Sequence, residues 1–224
     1  MRKHLFRFLF YMGVLLMFIN NLNSQNIFIQ GGSNYGNQFT LRTDDPHESN
    51  DFKWGSGFSF GVSLADIPYK SNRSYTLYVG FESFGGGFDS GYYGLGGGYY
   101  KSGQFQKYVI DLEFYPWKIK LLQNLFLLPG FEINGTVGKN VSGTYSQYEM
   151  GSSIPDIDLK NYKGFVVPFN LGTNVNLTHQ FKFNRFTIAP SYKFSFFLLP
   201  ELNLGTFSFS HRHSLLIALG YTLK

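Results

Sequence analysis

The 224-residue chain contains no cysteine. Disulfide staples, thiolate metal sites and a lipid-modified N-terminal cysteine are therefore excluded. Charge is also scarce: 15% of residues are Asp, Glu, Lys or Arg, against about 25% in ordinary soluble domains. Beyond the N-terminal segment, no stretch reaches the ~18 consecutive apolar residues that a membrane-spanning helix needs. No basic cluster interleaved with aromatics suggests nucleic acid binding. What the chain does have is aromatic and glycine residues: 26 Phe, 16 Tyr and 26 Gly. Abundant glycine with few aromatics reads as disorder, and here the aromatics exclude that reading. Low charge with high Gly, Phe and Tyr predicts β-structure facing lipid, in one domain or at most two small ones.

The first residues have the layout of a secretory signal peptide. Arg2, Lys3 and Arg7 form a basic start, an apolar run extends from Phe8 to Ile19, and Asn20, Asn21 and Asn23 precede the small Ser24. Cleavage after Ser24 is expected, with an uncleaved signal anchor as the alternative. Residues 1–24 carry three of the 19 Lys+Arg and none of the 14 Asp+Glu, so the mature chain has a net charge of +2 rather than +5.

Downstream the pattern has period two, the signature of strands with two different faces. Phe58, Phe60, Val62 and Leu64 alternate with Gly57, Ser59, Gly61 and Ser63. Comparable alternation covers residues 75–82, 108–115, 127–137, 165–177, 186–196 and 214–223, and a weaker strand runs from Ile27 to Tyr35. That makes eight strands of 8 to 14 residues. A tilted transmembrane strand needs ~9–11 residues, whereas soluble strands are nearer 5–6.

The connections alternate in length. Residues 66–73, 117–124 and 178–184 are short links, residues 36–53, 85–105 and 139–163 are long ones, and 197–207 is intermediate. Short turns on one side and long loops on the other mark an outer-membrane barrel, and an even strand number puts both termini on the short-turn, periplasmic side. Aromatic residues gather at the strand ends, with Trp54, Tyr35, Tyr108 and Phe165 at the outer end and Tyr69, Tyr75, Trp117, Phe181 and Tyr221 at the inner end. Pro129, Pro168 and Pro190 fall inside the alternating segments. Each would remove a ladder hydrogen bond, and they are expected to mark bulges.

The chain resembles the small outer-membrane β-barrel domain family common in Bacteroidota, which includes PorT-like proteins. The resemblance covers roughly Gln25 to Lys224. It rests on the opening Ile29-Gln30-Gly31-Gly32-Ser33-Asn34, on Gly57-Phe58 with Asp66-Ile67-Pro68, and on the closing His213-Ser214-Leu215 with Leu219-Gly220-Tyr221. A structural and interaction role displaying extracellular loops is expected, with a secretion-machine accessory like the PorT-like proteins as its more specific form; the resemblance itself implies an exported barrel of the outer membrane. It implies no activity.

Parity along the strands places Glu82, Asp111, Glu113, Glu132, Lys193 and Arg212 inside the barrel, together with Tyr78, Tyr115 and Phe126. An eight-stranded barrel is just wide enough for side chains to fill it. Unpaired charges there are costly, so these six residues are expected to form a polar network that plugs the lumen. A narrow ion path is the functional alternative. Three other features invite a functional reading. His213 beside Ser214 could suggest lipid-directed catalysis, but strand neighbours face opposite sides and no acid follows. Asp44, Asp45, His47, Glu48 and Asp51 form an acidic segment that matches no Ca²⁺ loop motif. Residues 85–105, with Gly85-Gly86-Gly87 and Gly96-Gly97-Gly98, lack the strand–turn–helix context of a phosphate loop and are expected to form a mobile extension of the hairpin, with ligand or partner contact by the exposed tyrosines as the alternative.

The sequence thus predicts an all-β protein: an eight-stranded antiparallel up-and-down barrel over residues 25–224, monomeric, in the outer membrane. No catalytic, cofactor-binding or metal-binding residue is assigned. Expected partners are outer-membrane lipid and lipopolysaccharide, the barrel assembly machinery and an envelope or secretion protein. The functional alternatives are a narrow pore and a lipid-modifying enzyme. A soluble ligand-binding barrel is opposed by the outward Phe and Leu.

Overall fold

The structure is a computed structural model that describes residues 26–40, 47–69, 73–149, 152–161, 166–202 and 208–223. The predicted signal segment lies outside the described residues. The strands are β1 (Asn26–Thr40), β2 (Glu48–Tyr69), β3 (Arg73–Gly94), β4 (Gly97–Tyr115), β5 (Ile119–Lys120), β6 (Leu125–Glu149), β7 (Ser152–Asp158), β8 (Phe169–His179), β9 (Phe181–Phe183), β10 (Phe186–Phe197) and β11 (Ser208–Thr222). A 3₁₀ turn spans Leu159–Asn161.

Eight of these strands form a closed antiparallel ring in the order β1-β2-β3-β4-β6-β8-β10-β11, with β11 returning to β1. The stagger of the ring can be followed from strand to strand. From Phe28 the paired residues are Ser63, Tyr78, Glu113, Glu132, Gly172, Phe197 and Ser210, and the walk returns to β1 at Gln38, ten residues from its start. With ~3.4 Å per residue and ~4.8 Å between strands, that stagger tilts the strands by roughly 40° and gives a backbone radius of roughly 8 Å. The interior therefore has room for side chains and little else.

Alternation sorts the two faces as the sequence pattern dictates. Ile29, Phe58, Phe60, Leu112, Phe131, Leu171, Ile188, Leu215, Ile217 and Leu219 point outward and are exposed. Between them they form an apolar belt far larger than a soluble surface tolerates. Hydrocarbon is the surrounding that such a belt fits. Trp54 and Tyr35 rim its outer edge, and Trp117, Phe183, Phe186 and Tyr221 its inner edge, all exposed.

The long links differ from the sequence expectation. Residues 85–105 extend the β3–β4 hairpin as expected, but as ladder-paired strand rather than a long link, closed by the two-residue turn Leu95-Gly96 between the paired Gly94 and Gly97. Residues 140–149 extend β6 against β4, and β7 adds to β6. Glycine is a weak strand former. Here ladder hydrogen bonds to a neighbour on each side of β3 and β4 override that preference. The result is a sheet of β2, β3, β4, β6 and β7 that rises about 20–25 Å beyond the belt.

The prolines do not mark bulges either. Register shifts occur at Lys53/Ser56, at Leu64/Ile67, opposite Val137 and near the β6–β7 pair, while Pro129 and Pro190 stay in register with Val175 and Ile217. On its other side, β6 pairs with β4 from Phe131 upward and with β5 up to Leu127, so Pro129 falls in the gap between two partners. Pro190 falls in the matching gap of β10, between β9 and β8. Each missing N–H sits where a ladder is already interrupted. Pro168 precedes β8, which begins at Phe169 rather than at 165, and its carbonyl accepts the Thr136 N–H at 2.8 Å.

Candidate functional site

The inner face is divided into three layers. At the short-turn end lies a small vestibule of ≈ 50 Å³, lined by Phe28, Gln30, Tyr78, Tyr115, Asn176 and Thr178 among others. Its rim is fixed by Asp66, which has φ 58° at a register shift. The Asp66 carboxylate accepts hydrogen bonds from Asn26 at 2.7 Å and Lys118 at 2.9 Å. Tyr78 closes the vestibule from above, and it fits because Gly80 has no side chain: a Cβ there would overlap the Tyr78 ring.

The middle layer is a buried charge network. Glu82, Asp111, Glu113, Glu132, Lys193 and Arg212 all lie inside the barrel and none is more than 1% exposed. The Lys193 ammonium is 2.5 Å from Glu113, 3.2 Å from Glu82, 3.6 Å from Asp111 and 3.7 Å from Glu132. Arg212 binds Glu82 at 2.6 Å, while Phe84 and Phe197 cover its guanidinium. Ser195 and Asn174 donate to Glu132 at 2.6 and 3.3 Å, and the Tyr115 hydroxyl donates to Glu113. Carboxylate oxygens of Glu82, Asp111, Glu113 and Glu132 all lie within 4.8 Å of one another, the one group of potential metal ligands among the described residues.

Two members of the network lie beyond the predicted strands, although Lys107 keeps the inward parity of Val109 and Asp111. Lys107 points inward from β4, and Glu201 enters from the segment before β11. Glu201 binds Lys107 at 2.6 Å and Arg212 at 2.7 Å. The chain turns in at this point because Gln38 holds it. The Gln38 side-chain oxygen accepts the Glu201 and Leu202 N–H groups, each at 2.9 Å, and its amide donates to the Leu202 carbonyl at 3.0 Å.

The outer layer is an apolar plug of Phe84, Phe88, Phe105, Val141, Leu159, Val166 and Leu202, each 7% exposed or less. A bridge between Val166 and Leu202 ties its two loop segments together. Sequence reading missed this plug because its loop residues carry no periodic pattern.

The other candidate features separate. His213 faces outward, with Nδ1 2.5 Å from the Tyr192 hydroxyl, and His211 and Trp54 pack against it. Ser214 faces inward and is 1% exposed, so the two residues sit on opposite sides of the wall. Asp44 and Asp45 lie outside the described residues, and Asp51 is exposed on β2. In the sheet beyond the belt, Tyr92 stacks on Tyr99, Tyr93 packs at a tilt against Tyr148, and Lys101 lies over the rings of Tyr99 and Tyr145. Ser102 donates to Asp89 at 2.5 Å, and that bond, with Lys53 and Tyr100 beside it, holds the Asp89 carboxyl below the usual aspartate range.

No family model and no curated protein matches the chain. Solved structures with a similar course of strands are outer-membrane barrels. Neisserial surface protein A is 11% identical, with a TM-score of 0.43, over 88% of this chain and 97% of that one. The attachment invasion locus protein Ail of Yersinia pestis is 12% identical, with a TM-score of 0.39, over 90% of this chain and all of that one. The outer membrane protein OprG from Pseudomonas aeruginosa is 11% identical, with a TM-score of 0.37, over 90% of this chain and 97% of that one.

Proposed function

We propose that the protein is an integral outer-membrane barrel with a structural and interaction role, closed through its lumen and built to hold a tyrosine-rich sheet above the cell surface. The observation that carries this reading is the seal. A charge network and an apolar plug lie in series across a lumen of roughly 8 Å backbone radius, and every side chain of both layers is buried. A barrel sealed this way is a pedestal. What it presents is the extended sheet, with Tyr92, Tyr93, Tyr148 and the fully exposed Leu95 at its outer end. Rigid tyrosines on a firm backbone are an economical binding surface, because they bury much area for little conformational entropy.

In this reading the mature chain is a monomer with both termini in the periplasm. It is inserted by the barrel assembly machinery and surrounded by lipid and lipopolysaccharide. Its partner is an envelope protein, and the resemblance to PorT-like barrels favours a component of a secretion machine. The chain is not an enzyme, a view supported by the opposed faces of His213 and Ser214.

The test uses the mature chain in outer membranes. A photoreactive residue at Tyr93 should crosslink one envelope protein, and changing Tyr92, Tyr99 and Tyr148 to Ser should cut the yield several-fold. Unchanged capture would refute the role of the sheet. Steady single-channel currents from purified barrel, altered by Glu132→Gln, would replace this reading with the narrow pore.

A further inference from the structure

The middle layer does not balance its charge. Five carboxylates (Glu82, Asp111, Glu113, Glu132 and Glu201) face three cations (Lys107, Lys193 and Arg212), and each is at most 1% exposed. Two negative charges are left over in a setting where uncompensated charge is prohibitive. The surplus has a place. Lys193 leans toward Glu113 and Glu82, and Arg212 is taken up by Glu82 and Glu201. On the other side, neither oxygen of Asp111 has a hydrogen-bond partner, and Glu132 Oε1 has none.

Neutral groups there are also unpartnered. Asn134, 0% exposed, pairs in register with Asp111 across β4 and β6, and neither its oxygen nor its nitrogen is hydrogen-bonded. Asn174 donates its amide N–H to Glu132 and turns its oxygen toward Gly130, away from Asp111 and Asn134. Buried polar atoms are rarely orphaned, and each one asks for an explanation. Those of Asp111, Glu132 and Asn134 together offer four oxygens and no sulfur or imidazole. That is the donor chemistry of a hard divalent cation, Ca²⁺ or Mg²⁺, with water completing the shell.

We infer that the barrel holds one divalent cation of this class between Asp111, Glu132 and Asn134, opposite the Lys193 ammonium. One such ion cancels the surplus charge and satisfies these four oxygens at once. Sealed between Tyr78 and the plug, it would be acquired during folding and would exchange only when the barrel opens.

The test refolds the mature chain into detergent with millimolar CaCl₂ or MgCl₂, removes free metal with chelator, and measures retained metal in the folded protein. About one equivalent is expected, released when the chain is unfolded in chelator, with a lower melting temperature for protein refolded without the ion. Asp111→Asn and, separately, Asn134→Leu should cut the retained metal roughly ten-fold or more. Wild-type protein that folds without retaining either ion would overturn the inference and assign the surplus to bound protons; stability would then rise as pH falls, with or without chelator. Full retention in folded Asn134→Leu would overturn this donor set. The wild-type measurement decides even if Asp111→Asn fails to fold.

Discussion

Glu201→Gln is the most informative single change in the lumen. Glutamine keeps the shape and a hydrogen-bond acceptor but removes the charge shared by Lys107 at 2.6 Å and Arg212 at 2.7 Å, in a position 1% exposed. Arg212 retains Glu82, while Lys107 loses its ion-pair partner and stays buried. Breaking one side of a buried pair costs about 3–5 kcal/mol, mostly the penalty of the stranded charge. At a denaturant slope of ~2 kcal/mol/M, that moves a urea midpoint down by about 1.5–2.5 M. The assay is urea unfolding in phospholipid vesicles, followed by fluorescence of Trp54 and Trp117, which sit at opposite edges of the belt. A cycle with Lys107→Met isolates the pair. Lys107→Met alone leaves Glu201 with Arg212, so its cost is smaller, about 1–3 kcal/mol, and the double variant should fall short of the sum by at least about 1 kcal/mol. A cost below ~1 kcal/mol for Glu201→Gln, or additivity within ~0.5 kcal/mol, would refute the account of the network.

Two further outcomes are expected. Ile217→Arg, at the middle of the outward face of β11 and 60% exposed, should destabilise the vesicle-inserted barrel by about 2–4 kcal/mol. An effect near zero would place that face outside hydrocarbon. Asp89 should titrate in the folded sheet below its unfolded value of about 3.9, because Ser102, Lys53 and Tyr100 all favour its charged form. Its contribution is therefore complete above pH ~4 and is lost as pH falls through the folded value. Carboxyl NMR of the sheet checks this, and a normal or raised midpoint would show that the Ser102 bond is not formed.

The barrel was legible in the sequence because period two is a local property. Phe58 to Leu64 needs only its own alternation to announce a two-faced strand, and the same parity carries Glu82, Asp111, Glu113, Glu132, Lys193 and Arg212 onto the inner face. What was not legible depends on partners. Gly85 to Gly91 reads as loop because glycine carries no strand signal, and it becomes strand through two neighbouring ladders. Pro129 and Pro190 read as defects until the change of partner strand is known. Lys107 stood near a predicted strand end, and Glu201 stood in a loop. The hold of Gln38 on the Glu201 N–H brings Glu201 inward, across 163 residues of chain. A cation site built from Asp111, Glu132 and Asn134 has no linear motif, since its ligands come from two strands and meet only across the pairing of β4 with β6.

That hold has a consequence for the order of assembly. Gln38 belongs to the first strand, while the segment it grips immediately precedes the last. Contacts of this sequence separation come late, after the intervening chain has been ordered. The lock between the ends of the chain, and with it the seating of Leu202, therefore waits for the final strand to reach the first. Until then the lumen stays accessible to water and ions, and afterwards it does not. Burial of Leu202 thus timestamps completion of the cylinder, and a probe at that one residue would report, during biogenesis, the moment at which the open sheet becomes a sealed one.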